Sequence, residues 1–189
     1  TNTPDAVTEG TANMAWLLIL ATARRLVWGD HYARSGAWKE KGPLAMGEHL
    51  GLEVLGRELL IVGAGRIGYA TALRARAFGM RIAYVARTQH IDFEIAPLAA
   101  RRVTLEEGLA QCDVISVHAP LTDETHHLIS DDAFDRMKPE AIIVNTARGP
   151  VIDEAALVRA LEAGKLFGAG LDVFEHEPDI HPGLIDRDD

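Results

Sequence analysis

The stretch Leu59-Leu-Ile-Val-Gly-Ala-Gly-Arg-Ile-Gly68 decides the fold class. Four apolar residues suited to a strand run into Gly63, Gly65 and Gly68 in the spacing G-x-G-x-x-G, and a helix-like stretch follows over residues 67–78. Gly63 permits the tight turn, Gly65 lets the backbone approach a pyrophosphate, and Gly68 lets the helix pack on the strand. The anion would rest on N–H groups at the positive end of that helix, around Arg66 and Ile67. Glycines at a strand-to-helix turn can serve the turn alone. The context of strand, glycine pattern, helix and second strand favours a dinucleotide.

Outward from this stretch, short apolar runs alternate with amphipathic segments. Strands are expected over residues 59–62, 82–85, 114–117, 141–144 and 167–171. Helices are expected over residues 67–78, 105–111, 130–137 and 154–163, the second opened by a capping box of Thr104 and Glu107. Runs of four or five apolar, β-branched residues between helices are the pattern of a parallel sheet covered on both faces. The expected architecture is α/β, a doubly wound parallel sheet of the Rossmann type.

Upstream, residues 8–26 carry a helix signature, with Thr8 as candidate N-cap, Glu9 in the first turn, and Arg24 and Arg25 in the last. Its circumference is mostly apolar, so it is expected to bury more than one side, against another domain or a second subunit. Residues 27–52 turn Gly-rich, polar and aromatic, too long for a plain connection. They read as an arm that contacts a partner. Trp16, Trp28 and Trp38 would otherwise leave large apolar area exposed, and a homodimer is expected.

The 189 residues include 19 Lys+Arg against 28 Asp+Glu, a formal net charge of −9 spread along the chain. Nucleic acid and anionic membranes therefore gain no general attraction. The apolar run at residues 15–21 is far short of the roughly 20 residues of a membrane span. The lone Cys112 cannot form an internal disulfide and reads as an inert, buried thiol. A cytoplasmic setting is expected. No metal-ligand set is read from the sequence.

An NAD site wants a carboxylate about 20 residues after the glycine pattern, at the end of the second strand. Val85 or Ala86 stands there instead, followed by Arg87 and Thr88. A guanidinium and a hydroxyl suit a 2′-phosphate, so NADP(H) is expected as the preferred cofactor, with NAD(H) as the alternative. Three later segments place polar residues after apolar strands: His118-Ala-Pro-Leu-Thr122, Asn145-Thr-Ala-Arg-Gly149 and Asp172-Val-Phe-Glu-His-Glu-Pro178. They are expected to converge at the ligand-binding edge of the sheet, where Arg148 offers a bidentate clamp for the carboxylate of a 2-oxo acid.

With GAGRIG, DVISVHAPLTDETHHLI, VNTARGPVIDEAAL and GLDVFEHEP in place, the chain resembles the D-isomer-specific 2-hydroxyacid dehydrogenases. The arm sequence and the Ala-Arg-Thr after the second strand are most similar to the glyoxylate/hydroxypyruvate reductase branch. The resemblance implies reduction of a small 2-oxo acid to the D-2-hydroxy acid. Arg148 would be the substrate-binding catalytic arginine, and Glu177 the carboxylate that holds a catalytic histidine and raises its pKa. Thr11, Thr146 and Ala147 would line the nicotinamide end, with Asp172 nearby. His118 and Pro120 would flank the adenosine, and Arg87 and Thr88 would hold the 2′-phosphate.

The resemblance also implies a histidine proton donor beyond GLDVFEHEP and a second, substrate-binding domain, neither of which these residues contain. His176 and His181 are the only substitutes at hand for the donor. Thr1 to Pro4 reads as chain crossing between domains, so the 189 residues are expected to be an excised cofactor domain, inactive alone. A formate dehydrogenase is disfavoured, because that relative needs an amide at the position of Glu177. Phosphoglycerate and D-lactate dehydrogenases, and a non-enzymatic corepressor-like dinucleotide sensor, remain the alternatives.

Overall fold

A computed structural model describes residues 6–189. Thr1 to Pro4, read above as an interdomain crossing, lie outside the described residues. The elements in order are α1 (Thr8–Ala23), α2 (Leu26–Arg34), α3 (Ala37–Lys41), β1 (Glu58–Val62), α4 (Arg66–Ala77) and β2 (Arg81–Val85). There follow α5 (Ile91–Glu94), β3 (Arg101–Arg102), α6 (Leu105–Gln111), β4 (Val114–Val117), α7 (Asp131–Arg136) and β5 (Ala141–Asn145). A 3₁₀ turn (Gly149–Val151), α8 (Glu154–Glu162), β6 (Leu166–Leu171) and α9 (Pro182–Ile185) complete the chain.

The six strands form one sheet in the order β3-β2-β1-β4-β5-β6, every pairing parallel. The strands alternate between two cores because successive side chains leave opposite faces. Leu60, Val62, Ile115, Val117 and Ile143 enter one core, with Leu109, Phe134 and Leu157 from helices on that side. Leu59, Ile61, Tyr84, Val114 and Val144 enter the other, beneath Trp16 and Ile19 of α1 and Ala72 and Ala75 of α4. This is the doubly wound arrangement expected. The capping box is present: Thr104 Oγ1 accepts from Glu107 N–H and Glu107 Oε2 from Thr104 N–H.

Several expectations need correcting. Thr8 is not a cap; Val7 holds the N-cap position of α1 and no side chain bonds there. The helix stops at Ala23 rather than residue 26, because Arg25 turns left-handed at φ 50° and lays its guanidinium over the Phe167 ring. The arm is not plain loop, since α2 and α3 occupy much of it. Trp16 is buried inside the domain, stacked on Phe78 with its indole N–H donating to Thr71 O at 2.8 Å. It therefore contributes nothing to a partner surface. Trp28 lies between Tyr32 and His49, while Trp38 is exposed.

Most of the apolar surface of α1 is satisfied within the chain. Ala12, Ala15, Ile19 and Ala23 are buried, and a Cβ on Gly170 of β6 would come 2.7 Å from Leu18 Cβ. Leu17 stays exposed. Among the described residues no helix is long and apolar enough to cross a membrane.

Candidate active site

Because all six strands run one way, every strand end expected to carry chemistry falls at one edge of the sheet. Gly63 to Gly68 follow β1, Arg87 and Thr88 follow β2, His118 and Pro120 follow β4, Thr146 to Arg148 follow β5, and Asp172 follows β6. Thr11 lies in the second turn's approach of α1, half-buried, its N–H donating to Val7 O. Open parallel sheets bind ligands at this edge, where strand order reverses about β1 and β4.

The three glycines differ in what a side chain would meet. Gly63 has φ +106°, and a Cβ there would lie 2.7 Å from Ala119 N and 2.8 Å from His118 C. On Gly68 it would lie 2.5 Å from Gly63 O and 2.8 Å from Ile61 Cγ2, which is close packing of α4 on β1. On Gly65 it would meet nothing within 4 Å. The backbone at Gly65 is thus bare towards a groove of about 690 Å³ lined by Thr8, Ala64, Arg66, Tyr69 and His90 among others. No side chain caps α4 at Gly65. A bare glycine at an uncapped helix start fits the pyrophosphate of a dinucleotide.

The end of β2 carries no carboxylate. Val85 and Ala86 are half-buried, and Arg87 and Thr88 are exposed. The Arg87 guanidinium makes no hydrogen bond or ion pair among the described residues. Below them, the Tyr84 hydroxyl accepts from His90 N–H at 3.0 Å and donates to Glu94 Oε1 at 2.7 Å. Gln89 and Tyr84 together hold the Glu94 carboxylate below its usual range.

After β5, Asn145 builds the turn rather than facing a ligand. Its Oδ1 accepts from Ala147 N–H at 3.0 Å, its Nδ2 donates to Arg148 O at 2.9 Å, and its carbonyl accepts from Asp172 N–H at 3.0 Å. The Thr146 hydroxyl is buried with no hydrogen-bond partner among the described residues, and an orphan of that kind at a strand end fits a polar ligand. Arg148 is exposed, bonded among the described residues only to Ala147 O at 2.6 Å. Gly149 explains how the next segment meets it: a Cβ here would fall 1.8 Å from Phe174 O. The backbone of residues 174–175 therefore crosses directly over the residue after Arg148.

That crossing loop carries Glu177, which is exposed and accepts from Phe174 N–H at 3.0 Å. Glu175 and Glu154 exchange bonds, each carboxylate accepting from the other's N–H at 2.7 and 3.2 Å. The remaining Glu175 oxygen lies 2.7 Å from His127 Nε2. Burial would raise the Glu175 pKa, but the bonds from His127 and Glu154 outweigh it and hold the carboxyl low. His126, His127 and Glu175 place donor atoms within 4.8 Å of one another, a spacing a cation could use. Both Glu175 oxygens are already spent on the loop, so the cluster reads as a brace.

The substitutes for the proton donor are elsewhere engaged. His181 Nδ1 accepts from Gly183 N–H and caps α9, and exposed His176 faces Glu175 at 4.0 Å. His118 Nε2 lies 2.8 Å from Ser116 Oγ, and burial pushes its pKa down to about 4, so it is neutral at pH 7. Burial likewise pushes the Cys112 thiol up to about 12, the inert thiol expected. Gly149 and the Glu154–Glu175–His127 brace were missed from the sequence, because their partners lie 21 to 48 residues away.

Residues 16–188 match the family model of the D-isomer specific 2-hydroxyacid dehydrogenase, NAD binding domain. A glyoxylate reductase of Thermococcus onnurineus is 50% identical over 192 residues, covering 100% of this chain and 56% of that protein. The crystal structure of an NADPH-dependent glyoxylate/hydroxypyruvate reductase from Sinorhizobium meliloti, in complex with NADP and malonate, superposes with a TM-score of 0.88 at 37% identity. It is matched over 100% of this chain and 57% of its own. A D-lactate dehydrogenase from Aquifex aeolicus, complexed with NAD and lactic acid, gives 0.87 at 31% identity over 100% of this chain and 59% of its own. The chain thus spans about half the length of these relatives. With the glycine turn, the Arg148 turn and the crossing loop at one sheet edge, it belongs to the D-isomer specific 2-hydroxyacid dehydrogenases, as their NAD-binding domain.

Proposed function

We propose that the full-length protein reduces a small 2-oxo acid of the glyoxylate or hydroxypyruvate type to the D-2-hydroxy acid, with NADPH preferred and this chain supplying the cofactor-binding part. The observation that carries the reading is Arg148 at the end of β5, two strand spacings of about 4.8 Å each from the glycine turn at the end of β1. A guanidinium in that position, bonded among the described residues only through Ala147 O, can clamp a substrate carboxylate and stabilise negative charge developing on the adjacent ketone oxygen. The bound dinucleotide supplies the hydride.

Gly63, Gly65 and Gly68, with the backbone of Arg66 and Ile67, hold the pyrophosphate. Arg87 and Thr88 take the 2′-phosphate, and His118 and Pro120 flank the adenosine. Thr11, Thr146, Ala147 and Asp172 line the nicotinamide end, where the Thr146 hydroxyl gains the partner it lacks among the described residues. Glu177 favours the charged form of a histidine contributed from outside these residues. Neutral His118 is no acid at pH 7. A cytoplasmic setting accords with the lone buried thiol.

The test is NADPH oxidation by the full-length protein with glyoxylate and hydroxypyruvate. Arg148→Ala is expected to lower kcat/KM by about 10³-fold, the scale of losing one preorganised charge partner in the transition state. Tight cofactor binding without turnover would instead mark a dinucleotide sensor. A homodimer is also proposed, because Leu17, Leu26, Val27, Trp38 and Met46 stay exposed along α1 and the arm. A monomeric mass by light scattering at micromolar concentration would refute it.

A further inference from the structure

We propose that Arg102, on the edge strand β3, determines cofactor choice as a second guanidinium of the 2′-phosphate subsite, beside Arg87. The proposal rests on the NADP(H) reading and extends it to a residue outside the Ala-Arg-Thr turn. β3 pairs with β2 in the register Tyr84↔Arg102, which carries Arg102 to the end of β2 where the specificity turn begins. There its Nη2 donates to the carbonyls of both Ala86 and Arg87, at 3.1 and 2.9 Å.

Two consequences follow from this bonding. The carbonyls of the turn are drawn towards Arg102, which fixes the peptide that carries the Arg87 side chain. The second concerns capacity: guanidinium has five N–H donors, and Nε and Nη1 of Arg102 make no hydrogen bond among the described residues. An exposed, anchored guanidinium with three N–H groups unused is preorganised for an oxyanion.

The local charge balance needs it. Glu94 is tied to the same turn through Tyr84 and Gln89, and its carboxylate feels the charge of Arg102, so a single guanidinium here would be offset. With Arg102 the balance becomes positive, which favours a phosphate dianion and gives nothing to the bare ribose hydroxyls of NADH. A two-residue strand without an apolar side chain offers no periodic signal, so its contribution emerges only when it pairs with β2.

The test is equilibrium binding to the full-length protein, followed by cofactor fluorescence for NADPH and NADH and by calorimetry for adenosine 2′,5′-bisphosphate and AMP. Arg102→Gln keeps an amide donor for the carbonyls and removes the charge. It is expected to weaken NADPH and the bisphosphate about tenfold while NADH and AMP stay within twofold, with Arg102→Lys partly restoring the difference. Parallel weakening of all four ligands would make Arg102 a staple of the turn only and overturn the proposal. So would an unchanged NADPH/NADH ratio in a protein whose wild type prefers NADPH, leaving the cofactor reading intact. A wild type that binds NADH as tightly as NADPH overturns the cofactor reading, and this proposal with it.

Discussion

The turn after β1 and the turn after β5 sit at the same edge of one sheet, yet they are held in different ways. The first is held by backbone sterics: Gly68 is closed locally by Gly63 and Ile61, Gly63 is closed by the backbone of residues 118–119 after β4, and only Gly65 faces open space. The second is held by hydrogen-bonding side chains, several of them distant in sequence. Asn145 ties Ala147 and Arg148 locally, but the loop lying over Gly149 is located by Glu154 and His127, 21 and 48 residues from Glu175. A backbone shape suffices for the proposed pyrophosphate site, whereas setting Arg148, the proposed substrate clamp, against the loop that carries Glu177 needs two segments brought into register.

The sharpest way to break the comparison is Gly149→Ala. Its Cβ cannot coexist with Phe174 O at 1.8 Å, so residues 174–178 must shift. We expect a loss of about 3 kcal/mol in urea unfolding and at least a hundredfold fall in kcat. Dinucleotide affinity should change far less, because the turn after β1 is untouched. Equal losses of NADPH affinity and kcat would mean that the two regions are one mechanical unit.

Gly65→Val probes the other side. Its Cβ meets nothing within 4 Å, so stability should change by only about 0.5 kcal/mol. Dinucleotide Kd should rise by roughly 30-fold as the pyrophosphate is held off the backbone. Unaltered affinity in a titration would remove the glycine turn from the cofactor site.

The smallest expected effect lies just after β4, between the two regions. His118 has a folded pKa near 4 against about 6.5 for an unfolded histidine. Its neutral form is favoured by folding, so the contribution is complete above pH 6.5 and is lost as the pH falls towards 4. The ring is partly exposed, and about 1–2 kcal/mol is expected. Urea unfolding of His118→Gln should show a shallower loss between pH 7 and 4; curves parallel to wild type would refute this.

Legibility followed the range of the interactions. The capping box of Thr104 and Glu107, β4 and α6 lie where the sequence expects them, because their determinants sit within a few residues. The end of α1 was missed, since a left-handed Arg25 stacked on Phe167 needs a contact 142 residues away in sequence, on β6. Trp16 has the composition of a partner surface and is buried by α4 instead. β3 and its pairing left no periodic trace.

By itself, the sequence determined that a parallel sheet forms and that Gly63, Gly65 and Gly68 open a dinucleotide-shaped turn, because strand, turn and helix preferences are properties of neighbouring residues. It also carried the absence of an acid after β2. Tertiary structure alone decided that Phe174 lies on Gly149, that Glu175 is braced by His127 and Glu154, and that Arg102 reaches the carbonyls of Ala86 and Arg87. Those contacts join segments that have no local reason to meet. They exist only because six parallel strands deliver their carboxyl ends to one edge.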